Sequence, residues 1–399
     1  MAIAAGSDNQ SDVFNTLAHY LLAIFIAVVN NACRAALRAL AVGAAPAKRL
    51  HGEYDVPDHF ERIARLSAPP RAGELVDIAD GLLWAQLPLP FALDHVNIYF
   101  LEDDGGFAAV DTGIGDEKTK QAWRVLLDGP LRGKDITRLI LTHHHPDHMG
   151  LAGWLVEQLG VPIHMTETEF LFAQHLGHNA QAVDVEGYRD FYRRHGMEER
   201  YADVIVNQGH QYKRMITGLP WNYRQLNDGE VLSIGGRMVE ILTGGGHSSN
   251  QAMLFSRDEG IFLSADQVLP KITPNIGVLA ISPEADPLGL YLRSLSRIRE
   301  QIPNDVLVLP GHKQPFTELY RRIDELENHH EVRCRVVEKA CREQPLSAAE
   351  VRPLLFNRDL DPHTLSFAFS ETLAHMNMMA REGRIAWESD GEILRATAA

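Results

Sequence analysis

From about residue 73 the chain breaks into short apolar runs separated by turn residues. Runs at 82–87, 96–101 and 107–110, with Asp103-Asp104-Gly105-Gly106 between the last two, predict an antiparallel meander. A helical stretch at 116–127 follows, then an apolar strand at 136–141, a helix at 151–159 and a strand at 161–165. Residues 166–223 read differently: Phe170, Phe172, Tyr188, Phe191, Tyr192, Tyr201 and Tyr212 are scattered through polar, helical sequence. The β pattern then resumes at 230–234, 238–242, 252–256 and 261–265. Strands, then alternating strand and helix, then strands again predict stacked α and β layers, with 166–223 as a helical insertion.

Beyond Pro310-Gly311-His312 the spacing of Leu319, Ile323, Leu326 and Val337 turns helical. Ser347-Ala348-Ala349-Glu350 has the form of a capping box. A third helix at 365–382 stops at Gly383, and a hairpin turns at Ser389-Asp390-Gly391. Three helices and a hairpin predict a small winged-helix-like module over 316–399, after a scaffold at 73–315 and a leader at 1–72.

The leader carries an apolar run at 17–29, interrupted only by His19. At 13 residues it falls short of the roughly 20 needed to span a bilayer. Asp8 and Asp12 precede it and the first cation is Arg34, the opposite of a secretory signal. The expectation is a docked or extended leader, no stable membrane anchor and a cytoplasmic location.

Composition narrows the chemistry. A formal charge of −15 repels a phosphate backbone, so nucleic acid is not an expected partner. Three cysteines are too few for a disulfide framework or a cysteine zinc site. Nineteen histidines point instead to imidazole and carboxylate as the available metal ligands.

The histidines concentrate in His143-x-His145-x-Asp147-His148, directly after the 136–141 strand. In extended backbone His143 and His145 point the same way and can grip one cation, while His144 faces the other side and is not expected to ligate. Pro146 turns the chain into a helix that can aim Asp147 and His148 at a second cation. His247, after Thr243-Gly244-Gly245-Gly246, Asp266 and His312 each follow an apolar strand, where a rigid element can hold a ligand.

These motifs resemble the metallo-β-lactamase-fold hydrolases, on the hydroxyacylglutathione-hydrolase-like (glyoxalase-II-like) side of that superfamily. The resemblance covers about residues 75–315. It implies a four-layer αββα sandwich with two divalent metal ions, zinc best and iron or manganese compatible. It places His143, His145 and His247 on the first metal, Asp147, His148 and His312 on the second, and Asp266 between them. Asp111, in Val110-Asp111-Thr112-Gly113, supports the histidine loop. The glycine run before His247 departs from the usual Pro-Gly, which suggests a more mobile loop, and the carboxy-terminal module does not resemble glutathione-binding helices.

The implied activity is hydrolysis of a thioester, ester or lactone by a metal-bridging hydroxide, with Asp147 as the catalytic carboxylate and a small acyl compound as substrate. Tyr188, Tyr192, Trp221 and Tyr223 of the insertion are candidates for an aromatic substrate lid; the alternative is that they form the insertion's own core. A metal-dependent phosphodiesterase or endoribonuclease of the same fold is the second reading, and a non-catalytic ligand-binding or regulatory protein the third. The 363–399 segment carries Arg381, Arg384 and Arg395 against Glu371, Glu382, Glu388, Asp390 and Glu392, which disfavours phosphate binding there. A homo-oligomer is compatible with the sequence, which does not decide it.

Overall fold

The computed structural model describes residues 68–178, 185–208 and 211–399. The apolar run at 17–29 and nearly all of the leader lie outside them, as do parts of the insertion.

The described residues open with the strands β1 (Val76–Ala79), β2 (Leu82–Pro88), β3 (His95–Asp103) and β4 (Gly106–Val110), a continuous antiparallel meander. Helix α1 (Glu117–Asp128) follows, its first turn closed by the Asp116 carboxylate accepting from the Thr119 amide at 2.7 Å. Strand β5 (Asp135–Ile140) runs parallel to β4; α2 (Pro146–Met149), α3 (Ala152–Leu159) and β6 (Ile163–Met165) come next. The insertion supplies α4 (Glu167–His178), α5 (Val185–Arg194), α6 (Glu199–Gln208) and α7 (Gln211–Arg214), and β7 (Arg224–Gln225) completes a seven-stranded sheet in the order β1 to β7.

A second sheet of five strands has the order β12-β11-β10-β9-β8. Its members are β8 (Val231–Ile234), β9 (Arg237–Gly244), β10 (Gln251–Ser256), β11 (Ile261–Ala265) and, after helix α8 (Pro287–Gln301), β12 (Leu307–Pro310). The chain ends in α9 (Leu319–Glu343), α10 (Ala348–Leu355), α11 (Pro362–Arg381) and the hairpin β13 (Ile385–Asp390) and β14 (Ile393–Ala398). The Ser347–Glu350 capping box forms at the start of α10, and an isolated bridge between Leu346 and Ala396 ties the hairpin to the α9–α10 link.

Side-chain alternation builds the layers. Tyr99 and Leu101 of β3 meet Ala252 and Leu254 of β10 and Leu307 and Leu309 of β12 in a core between the sheets. The intervening Ile98 and Phe100 pack outward with Trp123 of α1 and Leu155 of α3. On the other side Met253, Phe255, Phe262 and Val308 pack against Tyr291 and Leu295 of α8 and residues of α9 and α11. The result is helix, sheet, sheet and helix. Strands buried on both faces read as continuous apolar runs, which is why they were recognisable in the sequence. Helix α8 was not among the predicted elements, although Asp286-Pro287 is a good start signal: the Asp286 carboxylate accepts from the Gly289 amide and Pro287 fills the first helical position.

Candidate metal centre

The strands stop at a common edge, and the polar residues after them converge there. Asp111 follows β4 with φ of 65°, unusual for a residue with a side chain. Its amide bonds to Ile140 O at 2.9 Å, fixing it beside the end of β5. Its carboxylate accepts from the Thr142 amide (2.8 Å), the Thr142 hydroxyl (2.9 Å) and His148 Nδ1 (2.8 Å). The strained backbone is therefore held by a carboxylate whose three hydrogen bonds tie both ends of the histidine loop, Thr142 and His148.

The hydrogen bonds at the back of each imidazole determine which nitrogen faces forward. His148 Nδ1 donates to Asp111, His247 Nδ1 to the Asn275 carbonyl (2.8 Å) and His312 Nδ1 to the His95 carbonyl (2.8 Å). The Thr142 hydroxyl spends its proton on Asp111, so His143 Nδ1 donates to Thr142 Oγ1 at 2.9 Å. Each of these four residues when neutral thus presents a bare Nε2.

Those atoms face one another. His143 Nε2 lies 2.9 Å from His145 Nδ1 and 3.3 Å from His247 Nε2, and the latter two are 3.0 Å apart. One proton cannot satisfy three mutually close nitrogens. A second group joins Asp147 Oδ2 and His312 Nε2 at 3.3 Å, with His148 Nε2 3.8 Å from Asp147 Oδ2. Asp266 Oδ2 sits between the groups, 3.4 Å from His247 Nε2, 3.5 Å from His148 Nε2 and 3.3 Å from His312 Nε2. His148 Nε2 and Asp266 Oδ1 are buried with no hydrogen-bond partner. Converging lone pairs, paired carboxylates and orphaned buried atoms are the donor set of a cation site, and both triads fit a divalent ion.

The electrostatics agree. Burial, reinforced by neighbouring imidazoles, holds His143 and His145 far below their ordinary range, so they stay neutral. At the other triad burial is overcome by Asp266 and Asp147, which lift His148 well above its ordinary value and His312 to about 10. That half of the site already demands positive charge.

Two glycines make room for this arrangement. A Cβ on Gly311 would fall 2.2 Å from Asp266 Oδ1 and 2.9 Å from His148 Cε1. Gly246, at φ of 110°, is pressed against α8, where a Cβ would meet Tyr291 Cβ at 2.4 Å. The glycine run before His247 therefore answers a packing demand that was not visible in the sequence.

His144 points away from the ligands, to Glu169 of α4. Glu169 is fully buried and escaped the sequence reading. Its carboxylate accepts from the His144 amide (3.0 Å), His144 Nδ1 and the Asn250 amide, joining the 143–145 loop to the 247–250 loop. Burial would raise its pKa, but His144 and these amides pull it down to about 2. From the same insertion the Tyr212 hydroxyl donates to the His144 carbonyl at 2.7 Å.

The four aromatic lid candidates do not gather at one place. Tyr192 is buried against Phe369 of α11, with Tyr188 packed on the same core. Tyr223 stacks on Phe170 at 4.0 Å, and Trp221 is 88% exposed.

Comparison with known proteins agrees with this geometry. Residues 92–312 match the metallo-beta-lactamase superfamily, and 334–397 match the metallo-beta-lactamase-like C-terminal domain. A beta-lactamase domain protein from Burkholderia ambifaria is 37% identical, with a TM-score of 0.77 over 83% of this chain and 96% of that one. A probable metallo-hydrolase of Bacillus subtilis, YqjP, is 24% identical over 76% of this chain and 94% of its own length. The acyl-coenzyme A thioesterase MBLAC2 of Bos taurus is 24% identical over 60% of this chain and 80% of its own.

Proposed function

Because the chain belongs to the metallo-beta-lactamase superfamily and carries its C-terminal domain, we propose that it is a dinuclear metal-dependent hydrolase of acyl thioesters, with esters and lactones as related substrates. The observation that carries the reading is the intact set of seven side chains, His143, His145, His247, Asp147, His148, His312 and Asp266, with their lone pairs converging and no ligand replaced. Two divalent cations, zinc by ligand type, would supply Lewis acidity and lower the pKa of bound water towards neutral.

The chain's own residues do the rest. Asp147 has the most exposed side chain of the second triad, 22% against 2% or less for His148 and His312, so it faces incoming water and substrate. Against the effect of burial, His148 and His312 hold its carboxyl well below the usual carboxylate range, so it stays ionised and accepts a hydrogen bond that orients the attacking water. Asp111 and the backbone carbonyls of Asn275 and His95 keep the imidazoles in one tautomer throughout. Glu169 and Tyr212 hold the histidine loop from the insertion.

The thioester class draws on the bovine relative, which is an acyl-coenzyme A thioesterase. The overall charge of −15 favours a small acyl substrate over nucleic acid. No helix among the described residues is long and apolar enough to cross a membrane, and a cytoplasmic location is proposed on the acidic, cysteine-poor composition.

The test is a parallel panel on zinc-loaded protein: acyl thioesters, lactones, phosphodiesters and single-stranded RNA. Hydrolysis of thioesters with phosphodiesters and RNA inert supports the reading. Rapid RNA cleavage with inert thioesters replaces it with the nuclease reading.

A further inference from the structure

Helices α9 and α11 bring together a second set of ligand-type side chains. His329 and His330 are consecutive on α9 and Glu371 lies on α11; each offers one ligand atom, and these atoms all lie within 4.8 Å of one another. The two imidazole rings stand at 87°, with centroids 5.2 Å apart.

The tautomers can be followed along a chain of contacts. His375 Nδ1 lies 2.7 Å from the Glu371 carbonyl oxygen, which can only accept, so Nδ1 carries the proton. Neutral His375 therefore presents a bare Nε2, 3.1 Å from His330 Nδ1, which must donate. That leaves His330 Nε2 bare as well, on a fully buried side chain and with no hydrogen-bond partner. His329 Nε2 is likewise buried without a partner.

A proton on either ring does not resolve this. Burial, then His375, His329 and Arg333, push His330 down to about 2; burial, then Arg333 and Arg322, push His329 down to about 4. One turn along α9, Arg333 pairs across the interface with Glu371 Oε1 of α11 and lies over the Phe356 ring. Burial nevertheless raises the Glu371 carboxyl to about 7 against the pull of Arg333. One bare imidazole nitrogen, a second imidazole nitrogen without a partner and a carboxyl that burial keeps from ionising fully even beside Arg333 thus lie together.

We propose that His329, His330 and Glu371 bind a zinc ion that ties α9 to α11, separate from the strand-end centre. Two imidazoles and a carboxylate, with water in the fourth position, suit tetrahedral zinc, in which bonds of about 2.0–2.1 Å place ligand atoms roughly 3.3 Å apart. The relay from the Glu371 carbonyl through His375 is the outer support that orients a ligating imidazole. Half-buried His329 gives the ion a way in. Independently of the ion, a backbone hydrogen bond ties α11 to the loop behind the strand-end centre. The Val278 amide bonds to the Ser370 carbonyl, next to Glu371, and the same loop carries Asn275, whose carbonyl holds His247. Arg333 and Arg322 stand nearby as cations, so this zinc binds more weakly than ions held among aspartates.

The experiment is equilibrium dialysis of metal-free full-length protein against zinc chloride, read by elemental analysis, for wild type, His329→Asn and Glu371→Gln. Wild type is expected to bind three equivalents and each variant two, with the third released at least tenfold earlier in a chelator titration. Thioester turnover at two equivalents stays unchanged in both variants. His329 is partly exposed, so its variant keeps the test decisive if Glu371→Gln fails to fold. Equal stoichiometry in wild type and His329→Asn, or only two equivalents in wild type, overturns the proposal and assigns the space to a proton on Glu371. His312→Ala removes metal from the strand-end centre instead, so failure there is read separately.

Discussion

The strand-end centre and the α9–α11 cluster are built from the same side chains under different electrostatics. At the strand ends five imidazoles share their space with Asp147 and Asp266, while Asp111 supports them from behind. Carboxylates there outweigh burial and lift His148 and His312. Between the helices one carboxylate faces the imidazoles and is itself paired with Arg333, so burial wins and His330 and His375 stay neutral. Histidine clustering alone therefore does not define chemistry. The number of unneutralised carboxylates decides whether a cluster demands two cations or accepts one weakly.

The largest effect expected from breaking the contrast falls on Asp147. Asp147→Asn keeps the shape but removes the charged carboxylate that orients the attacking water, so kcat should fall by about 10²–10⁴-fold while the first triad keeps its metal. Paired rate and metal-content measurements check this, and a near-wild-type rate would remove Asp147 from the catalytic role.

Glu169 comes next, because it supports both loops of the first triad without touching a metal ligand through its carboxylate. Glu169→Gln should lower metal affinity or turnover by about 10–100-fold, the range for outer supports of metal ligands, with circular dichroism unchanged. Gly311→Ala should act in the same range on the second triad, since its Cβ would displace Asp266. Metal analysis should then show loss concentrated in one equivalent.

The smallest effect sharpens the helical side. His375 is held down to about 3 by burial, against a hydrogen bond to the Glu371 carbonyl, while the unfolded chain takes up its proton near pH 6.5. A depressed histidine destabilises the fold as pH falls below the unfolded value, by up to about 1.4 kcal/mol per pH unit, until the folded value is reached. Urea unfolding of metal-free protein at pH 7, 6 and 5 should show His375→Gln losing stability less steeply than wild type. Equal slopes would mean that His375 is already charged in the fold.

The same contrast explains what could be read from sequence. The strand-end ligands directly follow short apolar runs, so element and ligand announce each other within a few residues, as at 136–148. Asp111 was legible only through the family resemblance carried by Val110-Asp111-Thr112-Gly113. Glu169 was not, because its partners His144 and Asn250 stand 25 and 81 residues away and its own helix gives no local sign of burial. His329 and His330 read as polar positions on an amphipathic helix, and only packing against α11 brings Glu371 to them. The aromatic residues of the insertion illustrate the reverse: a concentration obvious in sequence that the structure distributes among separate packing sites.

The proposed activity depends on the seven strand-end side chains holding two cations. The most direct test is to strip the metal, add zinc back stepwise and follow hydrolysis of an acyl thioester. Turnover should rise from background and saturate at two equivalents, with further zinc bound but without effect on rate. A thioesterase rate that is already present without metal and does not respond to zinc would contradict the account.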